Sequence, residues 1–99
     1  MNLLYPWIDL KNPKLFEEQL DKELISGHVL FGISVKAIAR IDGDDDYLFS
    51  LLDGTNRVAV VHLSFGVSVS PEWPWTEMYP NYAEWESKRM LRDSSGTNA

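Results

Sequence analysis

Two clusters of turn residues, Asp42-Gly43-Asp44-Asp45-Asp46 and Asp53-Gly54-Thr55-Asn56, cut the middle of this chain into three short β-patterned runs. Links this short join neighbouring strands only as hairpins, because a parallel crossover needs a dozen residues or more. The first run, HVLFGISVKAIARID from His28, alternates Val35, Ala37, Ala39 and Ile41 with Lys36, Ile38 and Arg40. Period two places those sets on opposite faces of a strand, with Gly32 marking a bulge or bend. The second run is DYLFSLLD; the third, RVAVVHLSF, is rich in β-branched residues and stops at Gly66. The pattern predicts a three-stranded antiparallel meander.

A helix precedes the meander. Asn12 suits an N-cap and Pro13 the first helical position, where a missing N–H costs nothing. Phe16, Leu20 and Leu24 follow at helical spacing, widened by Leu15 and Ile25. Glu17, Glu18, Gln19, Asp21, Lys22 and Glu23 read as its solvated side, and Gly27 as its stop. A second helix starts at Asn81, whose spacing to Glu84 is a variant of the capping box. Tyr82, Trp85 and Arg89 share one side of it, with Met90 and Leu91 adding apolar bulk. The expected fold is therefore α+β, ordered α-β-β-β-α, with LLYPWIDL as an extended arm or extra strand. Both helices are expected on one face of the sheet, leaving Ile38 and Leu48 on an open face. Residues 1–91 form a single domain in this reading, and 92–99, without periodicity, a disordered tail.

Between the last β run and the second helix lies PEWPWTEMYPNYAEW. It sets Trp73, Trp75, Tyr79, Tyr82 and Trp85 among Pro71, Pro74 and Pro80. Aromatics carry the largest burial energy per side chain, and prolines stiffen backbone that cannot pair. The expected role is a lid in which Trp73, Trp75 and Trp85 close the core, with recognition falling to whichever ring stays outside.

Composition removes several functions. With 99 residues, 44% of them hydrophobic, the chain is long enough for one modest core. No run approaches the roughly 18 apolar residues of a membrane span, and the N-terminus lacks a basic signal region. The absence of cysteine excludes disulfides and thiolate chemistry. A net charge of −6 argues against nucleic acid, whose binders need a basic footprint. Lys88, Arg89 and Arg92 are expected to oppose the dipole at the end of the last helix. A cytoplasmic protein is the plain reading.

Candidate chemistry is sparse. His62, in VAVVHLSF, is either a general base or a polar residue on the half-exposed sheet face, bonded to a Tyr or Glu of the aromatic segment. His28 and His62 lack metal-ligand spacing, and no cofactor is expected. The Asp42–Asp46 run lacks the glycine and glutamate positions of a calcium loop, so it reads as an acidic turn whose charge can meet a basic partner. No serine sits in a nucleophile elbow and no phosphate loop is present. Glu72, Glu77 and Glu84 are candidates for a carboxylate pair.

The segments VVHLSF, PEWPWTEMY and NYAEWESKRML together resemble a family of small, largely uncharacterised bacterial proteins. Its pattern is a V-V-H-L-[ST]-aromatic strand, a W-P-x-[ST] segment and a short aromatic helix ending in basic-Met. The matching positions are Val60 to Phe65, Trp73 to Tyr79, and Tyr82, Trp85, Arg89 and Met90. The resemblance implies a bacterial accessory protein and assigns no reaction.

The expected function is non-enzymatic binding of a protein partner, basic in character, of the kind seen in immunity proteins or antitoxins. Its binding residues are Trp73, Trp75, Tyr79, His62, Asp44, Asp45 and Asp46, and no metal. The alternative is a ligand-binding domain or enzyme with His62 beside an aromatic-walled pocket. Homodimerisation through the open sheet face is a third reading.

Overall fold

The computed structural model describes residues 2–96 and is α+β. Its antiparallel sheet runs in chain order: β1 (Trp7–Asp9), β2 (Val35–Ile41), β3 (Asp46–Leu51), β4 (Val58–His62) and β5 (Thr76–Tyr79). Helix α1 (Pro13–Glu23) links β1 to β2. After β5 the chain makes α2 (Tyr82–Trp85), a π-helical turn (Glu86–Met90) and α3 (Leu91–Gly96). The three hairpin-linked strands are β2, β3 and β4. The N-terminal arm adds β1, and the aromatic segment adds β5, which was expected as loop. Pro74 and Pro80 bracket β5 and blunt the edge it presents.

The helices cover opposite faces, not one. Leu20, with Phe16 and Leu24 beside it, packs on Ala37, Tyr47, Phe49, Leu51, Ala59 and Val61, and Phe16 stacks on Tyr47 at 4.5 Å. On the other face Trp85 and Met90 join Trp7, Ala39, Leu48, Val58 and Val60. The Trp7 and Trp85 rings meet edge to face at 5.1 Å. Leu48 is therefore buried, and Ile38 packs against the same cluster instead of lying on an open sheet.

Strict alternation fails in β2 for a local reason. Ala37 pairs with Phe49 and Ala39 with Leu48, so Ile38 is an extra residue opposite one link of β3. Such a bulge reverses the facing of everything beyond it. Val35 and Ala37 face α1, while Ala39 and Ile41 face Trp85. Glu17 of α1 accepts the Ala37 N–H at 2.9 Å, steadying the start of the bulge. The stretch from His28 to Gly32 is a series of turns rather than strand.

Cap and end expectations divide. Asn81 Oδ1 accepts the Glu84 N–H at 2.9 Å, whereas Asn12 makes no side-chain cap bond. Leu24 is already extended, so Gly27, at φ +100°, serves the following turn. A Cβ there would stand 3.0 Å from Pro71, so the position needs glycine on two counts. The disordered tail expected over 92–99 is not seen at 92–96, where α3 continues to Gly96; residues 97–99 lie outside those described.

Glu23 departs furthest from expectation. Placed on the solvated side by helical spacing, it is fully buried at the end of α1. Its Oε1 accepts the Ser64 N–H and hydroxyl, both at 2.8 Å. Its Oε2 accepts the Phe65 N–H at 3.0 Å and the Gln19 amide at 2.8 Å. The turn held this way carries Phe65 at φ +58°, a left-handed conformation unusual for a bulky side chain.

Candidate functional site

Period two builds the site. Asp46 begins β3 and is paired with His62 at the end of β4, while Val60 of β4 is opposite Glu77 of β5. These positions put Asp46, His62, Glu77 and Tyr79 on the face that carries Leu48, Val58 and Val60. The apolar end of that face takes Trp85 and Met90; the polar end takes Arg89.

Arg89 lies in the π-helical turn, where the Leu91 N–H reaches back to the Glu86 carbonyl. The wider turn keeps Arg89 and Met90 both buried beside Trp85. Its guanidinium then serves three carboxylates at once. Nε donates to Asp93 at 2.8 Å, Nη1 to Glu77 at 2.6 Å and Nη2 to Asp46 at 2.7 Å. The indole of Trp7 lies 5.5 Å below the charge and donates its own N–H to Asp93 at 2.8 Å. Burial by itself would lower the Arg89 pKa; bonding to Asp46 and the charges of Asp93 and Glu77 more than reverse that. Arg89 was expected to act only on the helix dipole. It is instead the centre of the polar end of the face.

His62 is half exposed, and its Nδ1 lies 2.7 Å from Asp46 Oδ1 and 4.0 Å from Asp44. Its partner is thus its cross-strand neighbour, not the Tyr or Glu that was expected. The hydrogen bond to Asp46 raises the imidazole pKa above the ordinary 6.5; partial burial opposes this, and the charges of Asp46, Asp44 and Asp45 assist it. A raised folded-state pKa means the pair contributes stability below about pH 6.5, which is lost as pH rises through the folded value. A ring-proton NMR titration is expected to place the His62 midpoint above 6.5. His62→Gln should flatten the fall in stability across that window. A midpoint at or below 6.5 would contradict the Asp46 bond.

A hollow of about 150 Å³ opens here, lined by Asp46, Val60, His62, Trp75, Glu77, Arg89 and Arg92. Trp75 is fixed through its carbonyl, which accepts the His62 N–H at 2.9 Å, while the residue is 58% exposed. Trp73, 52% exposed, lies 6.4 Å from it, ring to ring. The expected lid is inverted: Pro74 is buried between the two, and only Trp85 of the three tryptophans enters the core. Tyr79 packs on the second core cluster and donates to Glu77, so it braces the site from within.

Of the acidic run, Asp46 is committed to Arg89 and His62. Asp44 and Asp45 stay exposed on the turn beside the hollow, with the Asp45 backbone carbonyl accepting the N–H of Leu63, just past β4. Asp44, Asp46 and His62 bring donor atoms within 4.8 Å of one another, the one such trio among the described residues. Both oxygens of Asp46 already have partners, and the His62–Asp46 bond accounts for the arrangement. Glu72, Glu77 and Glu84 are not brought together as a pair: Glu72 bonds Ser70, Glu77 bonds Arg89 and Glu84 pairs with Lys88. His28 is far from His62 in role. Its Nδ1 accepts the Leu30 N–H at 3.0 Å, which assigns the proton to Nε2, 2.9 Å from the Pro74 carbonyl.

No protein-family model, curated protein or solved structure matches the chain. Among the described residues, no helix is long and apolar enough to cross a membrane.

Proposed function

We propose that this is a non-enzymatic cytoplasmic domain that binds a basic protein partner, in the manner of an immunity protein or antitoxin. The observation that carries the reading is the position of Trp75. The exposed Trp75 walls the hollow that holds Asp46 and His62, next to the exposed Asp44 and Asp45 of the preceding turn. A rigid aromatic with an acidic border is the composition of an interface anchor. Asp46, Glu77 and Asp93 pair with Arg89, Asp93 also with Arg92, and Asp44 and Asp45 lie on the adjoining turn beside Arg40, so five carboxylates outnumber the three arginines and a protonated His62. The resemblance to small bacterial accessory proteins is in keeping with this role.

Size weighs against the alternative of a ligand pocket served by His62. About 150 Å³ is below the roughly 300 Å³ at which small-molecule sites begin, but it suits a single partner side chain. The test is affinity capture of a partner at low salt on wild-type, Asp44→Lys/Asp45→Lys and Trp75→Ala protein. Asp46 is left intact because it holds Arg89. Loss of an interface anchor should weaken binding about 30-fold, and the charge reversal about tenfold with a flattened salt dependence. Equal capture by all three proteins at every salt concentration overturns the proposal.

A further inference from the structure

Trp75 has a second side. Besides the charged hollow it lines an open notch of about 350 Å³, bounded by Gly27, Val29, Pro71 and Glu72. The walls are mostly apolar, and Val29 is 62% exposed, as an aliphatic side chain with no covering group. The two loops that bound the notch are tied together. His28 donates to the Pro74 carbonyl, Thr76 donates to the same carbonyl, and a Cβ at Gly27 would stand 3.0 Å from Pro71. A surface held open in advance avoids the ordering cost of forming it on binding.

We infer that this notch seats one apolar side chain of the partner, with a lysine or arginine beside it reaching across Trp75 to Asp44 and Asp45. The inference rests on the binding role proposed above and specifies its chemistry: an apolar residue flanked by cations. The choice of occupant follows from charge. Glu72 borders the notch, Trp75 also lines the hollow whose His62 lies 4.0 Å from Asp44, and a net charge of −6 disfavours a second copy of this chain. Trp75 serves both halves, as a wall for the apolar group and as a face for the cation.

Three heptapeptides test it by titration calorimetry: six lysines around a central leucine, six lysines around a serine, and six glutamates around a leucine. The lysine–leucine peptide should bind about tenfold more tightly than lysine–serine, the yield of burying one leucine in part. Val29→Glu, a change at an exposed site, should erase that difference, while Asp44→Lys/Asp45→Lys should weaken both lysine peptides. Equal binding of the two lysine peptides, still sensitive to the charge reversal, overturns the notch and leaves the acidic docking role standing. Binding of the glutamate peptide as tight as the lysine–leucine one overturns the acidic role and with it the committed occupant. No binding of any peptide at millimolar concentration overturns both.

Discussion

Arg89→Met is expected to lose about 3–5 kcal/mol of folding stability, the usual result of removing one member of a buried ionic network. The substitution keeps the volume that packs on Trp7, so the loss would come from charge. Asp46, Glu77 and Asp93 would lose the cation they share, leaving the exposed Arg92 at Asp93 and His62 at Asp46 as their nearest partners. Thermal unfolding followed by circular dichroism should show a melting temperature lower by roughly 20 °C, given about 4–8 °C per kcal/mol in a domain of this size. Arg89→Lys should recover only part of it, since an ammonium cannot fork to three carboxylates. Adding Asp46→Asn and Glu77→Gln to Arg89→Met should restore much of the loss by removing the unpaired charges. A methionine variant within 1 kcal/mol of wild type would mean the network contributes little.

Glu23→Ala should destabilise by about 3 kcal/mol, since it strips a buried turn of its acceptor and leaves the Ser64 and Phe65 N–H groups unpaired. Glu23→Gln is not a mild replacement. Four donors converge on two oxygens, so an amide NH2 must oppose one of them. Hydrogen exchange at Ser64 and Phe65 locates the effect: both amides should lose protection in the alanine variant and at least one of them in the glutamine variant, ahead of those in β3. Unchanged exchange at those amides would contradict the role assigned to Glu23.

The two substitutions also mark what could be read in the chain and what could not. Turn chemistry at Asp42–Asp46 and Asp53–Asn56 sufficed for β2, β3 and β4, because local residues decide a short hairpin. The two helices were legible from spacing, including the shared side of Trp85 and Arg89. That spacing was itself a signal: a cation on an apolar stripe must find anions, and the hairpin register already offered Asp46. Reading the charge as a partner of the helix dipole missed it. Glu23 gave no comparable signal, because its burial depends on a turn 41 residues later in the chain. The bulge at Ile38 was illegible for a similar reason. Two residues opposing one is a property of a pair of strands, and a single strand's alternation cannot express it. The strand TEMY was hidden by its prolines, which bar a central strand but suit an edge. Proline placement also reversed the expected lid: Pro74 fills the space assigned to Trp73 and Trp75, and the rings turn outward.

Those outward rings, and the side of the molecule they occupy, are the point on which the functional account stands. Chemical-shift mapping of the 15N-labelled protein with the lysine–leucine peptide tests it most directly. The indole N–H of Trp75 and the amides of Val29, Asp44 and Asp45 should move together along one binding curve, while Leu15 and Leu52, exposed elsewhere, stay still. Shifts centred on α1, or spread evenly over the surface without Trp75, would contradict it.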